Sequence, residues 1–548
     1  MVMLNTSLNY LQTLIKKKVS VKELEDILFN LGFEIDSLKG DEIAIEITPD
    51  RPDLLSTHGL ARAINAFLFK KPEKYEAKKS EIKVIVDESV NSVRPYTVCS
   101  VVRNLKFDEQ NLKEIVNFQE KLHETFARKR KKAAIGIYPL EKITPPIYYK
   151  AVEPQKIKFV PLDSDKEMNG NEILKKHEKG RKYGELLLGK KLYPIFIDSK
   201  NEILSMPPII NSAKLGKVTT KTKDVFIECS GEDISTLLKT LNLIATTLAD
   251  FGGKIYSVEV VYPDKKLETP DLKPEEVKIN ILNVNKILGT NISKEEAINF
   301  LERMGYLIED GKVFAPCYRT DILHEIDIID DIGRAYGVKN FKPDFPLIAT
   351  TGGLLKETKI KNRIRELMIG LGFQEVFTLI LSSSEEQFSK MRYESKAIFL
   401  QNQIEKSINM LRVSLLPELL KVLKNSQHYS FPQKIFEIAE VILPDEKTET
   451  KSVDKTNICA LISNSVVNYE EISSVLDSLF SNLHINYKLK EARDKRFING
   501  RSAKIIINKE ERGIIGEFCP KVLENFNLEN PVVGFELDLS LLLKQPGN

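Results

Sequence analysis

The chain has 548 residues, 42% of them hydrophobic and 29% charged, and its 81 Lys and Arg against 78 Asp and Glu leave a net charge of only +3. That length exceeds one core and calls for about three to five domains, while the balanced charge excludes a general polycation and leaves nucleic-acid contact to local patches. Five cysteines far apart in sequence exclude a CxxC zinc module and offer no disulfide framework; no apolar run approaches the roughly 18 residues of a membrane span. The first residues place their lysines after the apolar part, the reverse of a signal peptide, so a soluble, cytoplasmic protein is expected. Two basic runs, residues 16–18 and 128–132, are either local RNA-facing patches or ordinary solvated surface.

Residues 1–80 open with a capping box, Ser20-x-x-Glu23, followed by Leu24, Ile27, Leu28 and Leu31 at helical spacing and stopped by Gly32. A strand over 42–48, an acidic turn containing Arg51-Pro52-Asp53 and a second helix through Leu60 to Ala63 complete this module. The same order returns at 270–345: Ser293-x-x-Glu296, Ala297, Ile298 and Leu301, a Gly305-aromatic stop, the strand KVFAP, Arg319-Thr320-Asp321 and a further helix. The unit reads as an ancient duplication. Between the copies, residues 85–265 read as mixed α/β, with strands such as SEIKVIVDE and DVFIECS, a helix LLKTLNLIATTLADF and turns at 132–137, 177–180 and 205–211. The last turn holds Pro207-Pro208 before apolar residues and Asn211, a stiff segment suited to the wall of a pocket.

In the second copy the helix is the acid-rich stretch YRTDILHEIDIIDDIGRAYG, residues 318–337. Ile322, Leu323, Ile326, Ile329 and Ile332 predict its apolar face; Asp327, Asp330 and Asp331 stand at i, i+3 and i+4, with Asp321 near the helix start. Such carboxylates suit a hard cation such as Mg²⁺, or form a solvated face that complements the helix dipole. From residue 353 onward the pattern is a long α+β unit: a helix LLKETKIKNRIRELMIGLGF, strands around EVFTLIL and KIFEIAEVILP, a helix after LRVSLLPELLKVLKN, then NICALIS, EEISSVLDSLFSNL and three final strands.

Five stretches lie in collinear order over nearly the whole chain: EITPDRPDLLSTHGLARA, AAIGIYPLEKI, SMPPIIN, YRTDILHEIDIIDDIGRAYG, and LRVSLLPELL with KIFEIAEV. Together they resemble the beta subunit of phenylalanyl-tRNA synthetase, in its shorter archaeal and eukaryotic type. The resemblance implies an α+β multidomain fold: an N-terminal module at 1–80, a mixed α/β editing domain at 85–265, a second winged-helix-like module with the acidic helix at 270–345, and a non-catalytic class II synthetase-like antiparallel sheet domain at 353–548. It also implies an alpha subunit as partner in an alpha2-beta2 heterotetramer, tRNA(Phe), ATP as substrate of the whole enzyme, and Mg²⁺ shared with the alpha subunit on Asp321, Asp327, Asp330 and Asp331.

A class II site needs arginines on the ATP phosphates, yet no arginine stands between Arg412 and Arg493 and no GxGxxR occurs in the last third. Synthesis is therefore expected on the partner, and this chain is expected to serve as scaffold, tRNA-binding surface and editor. A pocket for a phenylalanine ring rejects an added hydroxyl poorly, so a second, hydrolytic sieve must bind that hydroxyl. Ser205, Glu228 and Ser230 are the candidate editing residues; where relatives are expected to carry Asp-x-Thr-Gly, this chain has Glu-Cys-Ser-Gly. Competing readings are a free-standing trans-editing deacylase, a Mg²⁺-dependent hydrolase, and a nucleic-acid-binding protein built on the duplicated modules, against which the acid of the second module weighs.

Overall fold

Two copies of one β-α-α-β-β-α unit bracket a large mixed sheet in the computed structural model, which describes residues 2–346, 348–403, 405 and 407–543. The first copy runs from the strand Val2–Ser7 through helices Leu8–Leu14 and Val21–Leu31, strands Glu34–Lys39 and Glu42–Ile47, to the helix Thr57–Phe69. The second runs from Glu275–Val277 through Ile281–Leu288, Lys294–Arg303, Leu307–Glu309 and Lys312–Ala315 to Glu325–Tyr336. In each three-stranded sheet the last strand sits between the other two. The repeat is thus longer than the sequence motif, since each copy also owns a preceding strand and helix.

Local chemistry explains the shared form. Ser20 and Ser293 accept the amide protons of Glu23 and Glu296 at the helix starts, and Gly32 and Gly305 both end their helices at φ 89°, where a β-carbon is strained. Leu24, Ile27, Leu28 and Leu31 are all buried, each stabilising the module by about 1.5–3 kcal/mol. The copies also pack reciprocally: Val21–Leu31 lies on Glu325–Tyr336, and Lys294–Arg303 lies on Thr57–Phe69. Arg334 Nη1 donates to Leu31 O at 3.0 Å, and the Arg303 guanidinium lies 4.0 Å from the Phe67 ring centroid.

Between the copies a sheet of ten strands runs in the order Ile210–Asn211, Ile203–Met206, Tyr193–Ile197, Ile147–Val152, Lys83–Val86, Lys254–Val261, Tyr96–Arg103, Val225–Gly231 and Ala133–Pro139, with Lys266–Thr269 also paired to Lys254–Val261. Helices Glu109–Glu124 and Ile234–Asp250 cover one face; Tyr138, Tyr149, Phe196 and Phe226 fill the other. Side chains alternate along Val225–Gly231: Val225, Ile227 and Cys229 join the helical core, which leaves Phe226, Glu228 and Ser230 on the aromatic face.

The chain divides into two compact units after Phe345. The second is a seven-stranded sheet ordered Gln374–Glu375, Gln433–Pro444, Ser452–Ser463, Val532–Asp538, Glu510–Phe518, Phe497–Ile507 and Lys488–Glu491, antiparallel except for its first pair. Helices Lys356–Gly370 and Tyr469–Asn482 pack on one face, Leu416–Asn425 and Pro520–Asn525 on the other.

Four local expectations need correction. Residues 132–137, read as a turn, lie almost wholly in the buried strand Ala133–Pro139, which pairs along its length with Val225–Gly231. The stretch EVFTLIL forms pairing only at Gln374–Glu375 and Leu381–Ser382, because Thr378, between them, turns its amide and hydroxyl to Glu437. Residues 178–183 are a short helix rather than a turn, with the His177 ring accepting the Lys179 amide. The acidic helix starts at Glu325, so Asp321 precedes it; Leu323 and Ile326 are exposed, and the buried face is Ile328, Ile329, Asp331 and Ile332.

Candidate functional site

Glu228 lies mid-strand between Cys99 and Gly136, its register partners on the two flanking strands. Gly136 carries no side chain, and a β-carbon placed there would meet both Tyr138 Oη and Glu228 Oε1, so it is the bare backbone at this position that lets the phenol and the carboxyl come together. Tyr138, two residues along the same strand, brings its phenol 3.1 Å from Glu228 Oε1 and 3.2 Å from Asn211 Oδ1. Asn211 pairs across the strands Ile203–Met206 and Ile210–Asn211 with Ser205, which lies beside the same phenol. The structure thus gathers Glu228 and Ser205 around Tyr138.

Two polar atoms in this enclosed place have no hydrogen-bond partner: Glu228 Oε2 and Ser205 Oγ. Their residues are only 2% and 1% exposed, and a buried polar group left without a partner costs about 1–3 kcal/mol. Burial pushes the Glu228 carboxyl up to about 8, the Tyr138 hydrogen bond and the Arg94 charge offsetting only part of it. Burial also holds the Tyr138 phenol and the Cys99 thiol far above their ordinary ranges.

Ser230 stands on the same face, but its hydroxyl accepts from Arg94 Nε at 3.2 Å, and Arg94 also binds the Ser230 and Arg130 carbonyls. Arg130, in the run 128–132, is buried rather than solvated. Its guanidinium donates to Pro208 O and Ile209 O at 3.1 and 2.8 Å, pairs with Glu120 at 2.7 Å and covers the Tyr183 ring. Arg130 therefore fixes the stiff 205–211 segment. Tyr138 and Arg94 were not singled out from sequence, Asn211 entered only as the end of the stiff turn and Arg130 only as a member of the basic run; Tyr138 and Asn211 lie inside the motifs AAIGIYPLEKI and SMPPIIN, which is the signal that could have found their role.

The acidic helix is arranged differently. Arg319 Nη2 lies 2.7 Å from both Asp321 and Asp331, and Tyr306 Oη donates to Asp331 at 2.8 Å. Burial would raise the Asp321 carboxyl, but the Arg319 charge and hydrogen bonds outweigh it and hold the group at about 2. In the first copy Arg51 binds Asp53 through two hydrogen bonds of 2.9 and 2.8 Å, and this corner is near enough to Arg319 and Asp321 for their charges to interact. Asp327 Oδ2 accepts the Leu323 and His324 amides at 2.8 Å, and Asp330 pairs with Arg334 at 2.7 Å. Among the described residues no group of three or more His, Cys, Asp or Glu stands where it could hold a metal ion. The four aspartates thus fit a cation only in part: Asp321 and Asp331 share the single charge of Arg319, while among the described residues nothing donates to the Oδ1 atoms of Asp327 and Asp330.

In the second unit the strand carrying KIFEIA presents Glu437 to Arg412, both about 1% exposed and 3.2 Å apart. Arg412 also donates to Thr378 Oγ1 at 2.7 Å and Glu440 O at 2.8 Å, so its guanidinium is committed to the protein itself.

Comparison with known proteins agrees with this organisation. Residues 1–70 match the Phe-tRNA synthetase beta subunit B1 domain, residues 277–338 the tRNA synthetase B5 domain, and residues 342–539 the phenylalanyl tRNA synthetase beta chain CLM domain. The chain is 39% identical to the phenylalanine–tRNA ligase beta subunit of Thermococcus onnurineus, covering 98% of both, and 41% identical to that of Pyrococcus furiosus, covering 97% of this chain and 98% of the other. A solved N-terminal fragment of the Pyrococcus horikoshii phenylalanyl-tRNA synthetase beta subunit superposes with a TM-score of 0.59 at 42% identity, over 61% of this chain and all of the fragment. The chain belongs to the phenylalanine–tRNA ligase beta subunit family.

Proposed function

We propose that this chain works as the beta subunit of a phenylalanine–tRNA ligase, with an alpha subunit in an alpha2-beta2 assembly that uses ATP to attach phenylalanine to tRNA(Phe), and that its own chemistry is hydrolytic removal of tyrosine from mischarged tRNA(Phe). The reading places the protein in the cytoplasm; among the described residues no helix is long and apolar enough to cross a membrane. Internal commitment of Arg412 supports synthesis on the partner, with residues 346–548 as a class II-like scaffold.

One observation carries the editing reading: Glu228 and Ser205 are buried beside the same phenol, and Glu228 Oε2 and Ser205 Oγ have no hydrogen-bond partner in the protein. A phenol hydroxyl offers one donor and one acceptor and would satisfy both, whereas a phenylalanine ring would leave both unmet and be rejected strongly. Hydrolysis breaks the bond between the aminoacyl carbonyl carbon and the ribose oxygen; water supplies the new C–O bond, and its proton passes to the ribose hydroxyl. Ser230 contributes by holding Arg94 at the end of the same strand. In the assembled enzyme, Glu228→Ala should let tyrosyl-tRNA(Phe) accumulate, and hydrolysis at the wild-type rate would remove Glu228 from the site.

Mg²⁺ is assigned to the edge formed by half-buried Asp327 and exposed Asp330, with remaining ligands from water and the alpha subunit, since Mg²⁺ commonly uses one or two carboxylates and keeps several waters. There it would neutralise an acidic surface facing the partner. Asp321 and Asp331 stay with Arg319 as the inner support of that helix.

A further inference from the structure

We propose that Tyr138 is a positioning residue of this site, holding the carboxyl proton of Glu228 on Oε1 so that Oε2 always faces the substrate hydroxyl as an acceptor. The inference rests on the editing reading and adds a residue to it.

A phenol has one proton to donate and can also accept, yet Tyr138 Oη lies within hydrogen-bond distance of two acceptors, Glu228 Oε1 and Asn211 Oδ1, at 3.1 and 3.2 Å. It cannot donate to both at once. Asn211 Oδ1, the amide atom turned to the phenol, can only accept, so the arrangement that joins these three atoms is a chain: Glu228 Oε1–H donates to Tyr138 Oη, and Tyr138 O–H donates to Asn211 Oδ1. This chain requires a neutral carboxyl, which is the form burial favours up to about pH 8. The other groups facing the carboxyl agree with that state. Cys99 from the neighbouring strand and Tyr149 from Ile147–Val152 are held neutral by burial. Arg94, the cation acting on Glu228 among the described residues, is turned to Ser230 and to the backbone carbonyls of Arg130 and Ser230.

With the proton fixed on Oε1, Oε2 is a carbonyl-like acceptor and Ser205 Oγ is free to donate. The incoming hydroxyl then donates to Glu228 and accepts from Ser205. Without the phenol the carboxyl proton can move to Oε2, where it meets the substrate's own proton. Tyr138 therefore acts on discrimination between tyrosine and phenylalanine rather than on the hydrolytic step.

The test is Tyr138→Phe in the complete alpha-beta enzyme, with hydrolysis of tyrosyl-tRNA(Phe) and phenylalanyl-tRNA(Phe) followed as kcat and KM. The expected result is a KM for the tyrosyl ester raised about tenfold, the size of one hydrogen bond, with kcat and hydrolysis of the phenylalanyl ester near wild type. Asn211→Ala should reproduce the loss with the phenol still present, because Tyr138 then donates to Glu228 and the carboxyl proton is displaced. In a Glu228→Gln background, Tyr138→Phe should change the tyrosine-to-phenylalanine ratio no further. An unchanged ratio, or an equal fall for both esters, would overturn the inference. Failure of the wild-type enzyme to hydrolyse the tyrosyl ester would instead overturn the editing reading, and the role of Tyr138 with it.

Discussion

Asp331 and Glu228 are both almost fully removed from solvent, but Asp331 faces a guanidinium and Glu228 faces a phenol. Around Asp331 every strong group is answered: Arg319 binds it and Asp321 together, and Tyr306 supplies a further proton. Around Glu228 one carboxyl oxygen and one neighbouring hydroxyl are left over. Burial with a cation makes an acid part of the scaffold, because the pair is costly to break; burial without one makes a neutral acid with spare hydrogen-bonding capacity. The first supports a surface, and the second suits a ligand.

Removing the cation should have the largest effect. Arg319→Met leaves buried Asp331 and half-buried Asp321 beside each other without compensation, and unfolding measurements at neutral pH should show a loss of about 3–5 kcal/mol. The pH dependence should also reverse. In the wild type the Asp321 group, held at about 2 against 3.8, contributes stability above pH 3.8 that is lost as pH falls toward 2. In the variant, acid should restore part of the stability by neutralising the two carboxyls; a variant as stable as wild type would show that Arg319 does not hold this corner.

Adding a methyl at Gly136 comes next. Gly136→Ala brings a β-carbon against Tyr138 Oη and Glu228 Oε1, and overpacking of this kind costs about 1–3 kcal/mol. Thermal unfolding should register that cost, and tyrosyl-tRNA hydrolysis should fall far more than unfolding predicts, because the methyl displaces the phenol and the carboxyl from each other. A smaller, purely pH-dependent effect belongs to Glu228→Gln. Since the wild-type carboxyl titrates at about 8 rather than 4.5, its contribution is complete below pH 4.5 and is lost as pH rises through 8. Between pH 7 and 8 that loss is about 1 kcal/mol. The glutamine variant should lack this slope in pH-resolved unfolding, and an identical slope would place the titrating group elsewhere.

The duplicated modules were legible because their signals are local: Ser20 and Ser293 cap helices three residues before an acid, and Gly32 and Gly305 stop them. Glu228 and Ser205 were legible as polar residues placed where a strand and a double-proline turn would hold them. Their relation to Tyr138 and Asn211 was not, because it depends on register between strands more than sixty residues apart. Arg130 looked like a surface charge since a basic run carries no sign of which member turns inward. In the acidic stretch, periodicity was outweighed by capping. Asp327 takes the amides of Leu323 and His324, which starts the helix at Glu325 and puts Leu323 and Ile326 in solvent.

Asp330 gives the smallest expected change in the isolated chain and the sharpest test of what the outer half of the acidic helix is for. It is exposed and pairs only with Arg334 one turn on, an arrangement worth about 0.3–0.5 kcal/mol, so Asp330→Asn should leave unfolding of the beta subunit nearly unchanged. If Asp327 and Asp330 form the metal edge against the alpha subunit, the same variant should lower bound Mg²⁺ and weaken alpha-beta assembly, read by metal analysis and native mass. Asp331→Asn should do the opposite, disturbing stability through Arg319 before it touches metal content. Full metal and intact assembly in the Asp330 variant would mean that the outer acids are solvated surface, leaving Arg319 as the cation around which this helix is built.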